Sequence, residues 1–128
     1  MTDTEKITIN IGSVDLGQID LLVKEGFYSN RADFIRTAIR NQLERQSNAV
    51  DSIKSRKSMV IGTQVYSSRD LMEKKDKNEK VNIKVVGMLI LTDDITPQLA
   101  QETIESITIH GVFKAPEDIK DALKDRIS

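Results

Sequence analysis

The chain has 128 residues, 38% hydrophobic and 30% charged, with 19 Lys and Arg against 20 Asp and Glu and a net charge of −1. That is a soluble globular composition for one domain or two small ones, with no apolar run long enough for a membrane helix and no basic-then-apolar leader, so a cytoplasmic location and no membrane partner are expected. The lack of cysteine excludes disulfides, thiol catalysis and cysteine-ligated zinc.

The first element is "EKITINI", residues 5–11, which alternates polar residues with isoleucine and stops at Gly12. The alternation predicts a strand with one apolar and one polar face. A lone strand leaves its backbone groups unpaired, and no second strand follows. "GSVDLGQIDLLVKEG", residues 12–26, carries Val14, Ile19, Leu22 and Val23 at helical spacing. Ser13 or Asp15 is the expected start cap and Gly26 the expected end. In residues 27–46, Asn30 followed by Asp33 resembles a capping box. Phe34, Ile35, Ala38, Ile39 and Leu43 then line one helical face, with Arg31, Arg36, Arg40 and Arg45 mostly off it. Polar residues 47–58 read as a connecting segment into which the helix runs on.

Residues 59–128 repeat. With Gly87 placed over Gly111, Ile83 falls on Ile107, Val85 on Ile109, Leu89 on Phe113, Asp94 on Asp118, Ile95 on Ile119 and Leu99 on Leu123, at an offset of 24 throughout. A looser third copy at the same offset sets Ile61 against Val85, Val65 against Leu89, Asp70 against Asp94 and Leu71 against Ile95. Strand, Gly, polar turn and helix in each unit describe a small α/β repeat module. The expected fold class is α+β.

A second copy of the chain is the natural partner for the strand. Two strands paired antiparallel about a two-fold axis satisfy each other's backbone. Ile7, Ile9 and Ile11 then face a four-helix core, and Lys6, Thr8 and Asn10 project together from the other face. Such a ribbon fits the DNA major groove, where Lys donates to guanine, Asn binds adenine and Thr hydrogen bonds or touches a thymine methyl. Charge placement must do this work, because residues 1–57 carry nine basic against eight acidic side chains, only +1.

The order "KITINI", amphipathic helix, "GFYSNRADFIRTAIRNQL" resembles the ribbon-helix-helix regulators of the CopG/Arc/MetJ type. The run "YSNRADFIR" is especially similar to the second-helix opening of their nickel-responsive members. The resemblance covers about a third of the chain and implies an intertwined homodimer over residues 1–46. It implies base reading by Lys6, Thr8 and Asn10, and phosphate anchoring at Ser29, Asn30 and Arg31, where a helix amino terminus favours anions. The implied dimer core is Ile7, Ile9, Ile11, Ile19, Leu22, Phe34, Ile35 and Ile39. Residues 59–128 resemble an extension on some members and are assigned to oligomerisation or partner binding. The nickel site of those relatives uses several histidines and a cysteine. This chain has one histidine, His110, and no cysteine, so neither metal nor cofactor is expected.

Other chemistry finds little footing. His110 reads as structural. The acidic pairs 93–94 and 117–118 recur at the repeat spacing and suit helix starts near Pro97 and Pro116. No phosphate loop, nucleophile motif or metal-spaced cluster is present, so the chain is not expected to be an enzyme. The reading is a DNA-binding regulator of repressor type whose partners are double-stranded DNA and itself. Two alternatives stand beside it: an antitoxin whose carboxy-terminal part binds a toxin, and a scaffold protein built on the repeats.

Overall fold

The structure is a computed structural model and describes residues 4–128. The chain divides between Asn48 and Ala49 into two units.

In the first unit residues 4–12 take neither helix nor strand. Among the described residues the single chain offers the predicted strand no backbone partner. Helix α1 spans Ser13–Lys24, and its N-cap is Gly12 in extended geometry with no side-chain cap. The expected caps Ser13 and Asp15 instead lie inside the first turn, where Asp15 complements the helix dipole. The end falls at Gly26 as the sequence implies. Gly26 has φ 87°, and the N–H groups of Gly26 and Phe27 close on the carbonyls of Val23 (3.1 Å) and Leu22 (3.0 Å). This paired closure needs a left-handed residue at its corner, which glycine supplies without strain.

Helix α2 spans Arg31–Arg45 and stops where the Gln46 N–H turns onto the carbonyls of Gln42 and Leu43. It does not run on. A separate helix α3, Ser47–Lys57, follows. So the polar connecting segment is helical, but with a break at Gln46.

The second unit holds strands β1 (Val60–Tyr66), β2 (Val81–Leu91) and β3 (Ile104–Lys114) in one parallel sheet of order β1-β2-β3. Helix α4 (Ser68–Asp76) leads to β2, α5 (Pro97–Thr103) leads to β3, and α6 (Glu117–Ala122) follows β3. Parallel neighbours need such crossovers. The chain as a whole is a mixture of helix and strand, and within this unit the two alternate. The helices cover one face. Leu71, Ile83, Val85, Leu89, Ile107, Ile119 and Leu123 form its buried core. Ser67 closes a full capping box with Asp70 at the start of α4, and Thr96 caps α5 ahead of Pro97.

The sheet register reproduces the repeat. Ile83 pairs with Ile107, Val85 with Ile109, Gly87 with Gly111 and Leu89 with Phe113, at the offset of 24 read from sequence. Ile95 and Ile119, and Leu99 and Leu123, are buried as pairs. The third copy is displaced from its expected alignment. Ile61 pairs with Val86 rather than Val85, and Val65 with Ile90 rather than Leu89. The strand offset there is 25, which brings Gly62 beside Gly87.

Gly62, Gly87 and Gly111 thus form a row across the sheet, with φ of 134°, 137° and 125°. A Cβ on Gly87 would overlap the Gly62 carbonyl, and one on Gly111 the Gly87 carbonyl, while a Cβ on Gly62 meets open space. At the Thr103–Ile104 step, α5 passes directly into β3 with no connecting residue. Thr103 is buried there, and its hydroxyl donates to the Leu99 carbonyl at 2.7 Å, which satisfies it.

Candidate nucleic-acid interface

Lys6, Thr8 and Asn10 are all exposed. So are the alternate residues meant for the interior: Ile7 is 75% and Ile9 63% exposed. Of the expected dimer core, Ile19 alone is buried within the single chain. Leu22, Phe34 and Ile35 are half-buried, and Ile11 and Ile39 are exposed. Ile9, Ile11, Leu16, Ile19, Phe34, Ile35, Ala38 and Ile39 border an open groove of about 590 Å³, with Asn10 and Arg31 also on its lining. On that lining Ile9, Ile11 and Ile39 are 63%, 42% and 45% exposed. A small unit gains most of its stability from apolar burial, and this one exposes its apolar face.

The start of α2 is built tightly. The Asp33 N–H donates to Asn30 Oδ1 at 2.8 Å, the cap expected from the spacing. Asp33 does not return the bond to Asn30. Its carboxylate accepts instead from the Ser29 N–H at 2.9 Å. Tyr28 packs edge-on against Phe34, ring centroids 5.0 Å apart, and so fixes the entry of the chain into the helix. Arg31 bonds Asp20 of α1 through two nitrogens, at 2.8 and 2.9 Å. The Arg31 hydrogen bond holds the Asp20 carboxyl below its ordinary range, and Asp20 in turn raises Arg31.

Each residue expected to anchor phosphate therefore already has a partner within the chain. Asn30 is the cap, Ser29 gives its N–H to Asp33, and Arg31 is paired with Asp20. The sequence reading missed the Asp20 pairing, which joins residues 11 apart on different helices and leaves no periodic signal. The Tyr28–Phe34 contact was missed too, though aromatic residues flanking a cap were its signal.

Elsewhere the acidic pairs have local duties. Asp94 accepts from the Thr92 hydroxyl and from the Ser68 N–H at 3.1 Å, so it ties two turns together. Both bonds lower its pKa, the Thr92 contribution being the larger. Glu117 and Asp118 form the first turn of α6 rather than preceding it, with Pro116 as N-cap. His110 is exposed on β3. It borders a shallow apolar depression with Val50, Ile53, Met59 and Val86. Among the described residues no cluster of three or more potential metal ligands occurs, and no helix is long and apolar enough to cross a membrane.

The model of the Ribbon-Helix-Helix transcriptional regulator family matches residues 2–120. A protein of Methanocaldococcus jannaschii, described as uncharacterized, is 46% identical over 39 residues, which is 30% of this chain and 40% of that relative. The chain thus spans well under two thirds of the relative it matches. No solved structure matches.

Proposed function

The chain belongs to the ribbon-helix-helix transcriptional regulator family, a family of DNA-binding regulators, and from that premise we propose that it is a sequence-specific repressor acting as a homodimer in the cytoplasm. Residues 5–11 of two chains pair antiparallel. Ile7, Ile9 and Ile11 turn inward onto the α1 and α2 faces, and Lys6, Thr8 and Asn10 enter the major groove. The open apolar groove of the first unit carries this reading. A second copy is the simplest body that fills it, and the same act gives the strand its partner.

Phosphate anchoring then falls to the backbone. Asn30 and Ser29 shape the start of α2, and its first free N–H groups, those of Arg31 and Ala32, meet the anion with the helix dipole behind them. Arg31 contributes by sharing its guanidinium between Asp20 and a phosphate oxygen. An antitoxin with a disordered tail is the poorer reading, because residues 59–128 pack around a closed apolar core.

The test is fluorescence anisotropy against the duplex upstream of the gene, at two salt concentrations, with a scrambled duplex as control. The variant is Thr8→Ala/Asn10→Ala. Each good base contact carries roughly 1–3 kcal/mol of discrimination, so the double variant should lose at least about tenfold in preference. It should retain the weak, salt-sensitive binding to any duplex. If the wild type binds no duplex even at low salt, the ribbon is only a dimerisation device and the proposal fails.

A further inference from the structure

The two edges of the sheet are treated differently. The outer edge of β3 is met at Ile107 by the chain itself: Ile127 bridges Ile107, and the Ser128 N–H donates to the Ile107 carbonyl at 2.8 Å. Among the described residues no strand pairs with the outer edge of β1, whose ladder is to β2. An open edge is normally guarded by charge, by proline or by a bulge. The sequence of β1, Val60–Tyr66, "VIGTQVY", has neither charge nor proline, and its ladder to β2 runs without a bulge. Ile61 and Val65 are 46% and 53% exposed.

We propose that β1 pairs edge to edge, antiparallel, with β1 of a second copy, about a two-fold axis at Thr63, which joins two three-stranded sheets into one of six strands. The strand is self-complementary about that residue. Ile61 comes opposite the partner's Val65, a β-branched cross-strand pair of the kind that stabilises antiparallel ladders. Val60 comes opposite the partner's Tyr66. Gly62, beside which a side chain meets only open space, comes opposite the partner's Gln64, so the position without a side chain faces a long one. No like charges meet, because the strand has none. A head-to-tail stack is disfavoured, because it needs the β3 edge, where Ile127 and Ser128 already engage Ile107. An isologous pair uses the open edge twice and closes.

This inference rests on β1 and not on the DNA-binding reading, so either survives failure of the other. The chain has no cysteine, so a single Thr63→Cys places one thiol per copy on the axis. Directly opposed residues in an antiparallel pair have Cβ atoms about 4.5–5.5 Å apart. Under mild oxidation the full-length Thr63→Cys protein should form a soluble covalent dimer about tenfold faster than Glu117→Cys, an exposed site on α6, because only the former thiols are held together.

Hydrogen exchange on the wild-type protein is the second arm. The β1 amides that point away from β2 should be protected like those of β2, and Val65→Lys should lower their protection by about tenfold while leaving β3 unchanged. The proposal is overturned by Thr63→Cys cross-linking no faster than Glu117→Cys. It is equally overturned by unprotected outer amides in the wild type, or by cross-linking only into insoluble aggregates.

Discussion

A methyl group placed on Gly87 probes the glycine row, and the same change at Gly62 supplies its control. The two residues share nearly the same backbone, φ 137° and 134°. Forcing alanine into that region costs of order 1–3 kcal/mol at either site. Both substitutions also restrict the unfolded chain alike, a gain of about 0.4–1 kcal/mol that cancels between them. The neighbours differ. At Gly87 the added Cβ overlaps the Gly62 carbonyl, while at Gly62 it meets open space. Relief of the overlap means parting β1 from β2 locally, and each ladder bond lost costs about 1 kcal/mol net. Loss of two such bonds makes Gly87→Ala about 2 kcal/mol worse than Gly62→Ala. The assay is urea unfolding followed by tyrosine fluorescence in a Tyr28→Phe background. That change leaves Tyr66, in the second unit, as the sole tyrosine. With a slope of about 1–2 kcal/mol per molar for a unit of this size, the midpoints should differ by about 1–2 M. Equal midpoints would refute the overlap and reduce the row to a matter of backbone angle.

Asn30→Ala removes the cap of α2 and should cost about 1 kcal/mol, with faster hydrogen exchange at the Asp33 amide and the helix still formed from its second turn. Arg31→Ala should return the Asp20 carboxyl to the ordinary aspartate range, read by NMR titration; an unchanged midpoint would mean that Arg31 does not hold it. In the wild type the Asp20 pKa is lower folded than unfolded, so its contribution to stability is present above about pH 4. It fades as the pH falls through the folded value. The same sign applies to Asp70, held down chiefly by the Ser67 backbone hydrogen bond, and to Glu102, held down chiefly by Lys75, so the second unit should also weaken in acid.

The two helices of the first unit were legible because their apolar residues recur at helical spacing and because Gly26 and Asn30 punctuate the chain. The break at Gln46 was not, since Val50 and Ile53 weakly continue the apolar spacing of Leu43 across it. In the second unit the offset of 24 was both a sequence period and the hydrogen-bond register of β2 on β3. The third copy misled because Asp70 and Leu71 align with Asp94 and Ile95 at 24. The strands obey 25, and Asp70 lies in the first turn of α4 while Asp94 precedes α5. The polar strand face was legible as pattern, but the Asp20 partner of Arg31 depends on how two helices meet, which no local spacing encodes.

The abrupt step from α5 into β3 has a bearing on how the length of this protein can vary. With no residue between Thr103 and Ile104, an insertion there has no slack to occupy. It either overwinds a short helix whose Leu99 and Ala100 are buried, or slides β3 by one place along β2. A slide of one place turns Ile107 and its alternates from core to solvent. The turn after α4 is the opposite case. Residues 77–80 are exposed, and Asn78 already takes a left-handed angle of 58°. Related chains of different length are thus expected to differ at that turn and to keep the helix-to-strand step intact.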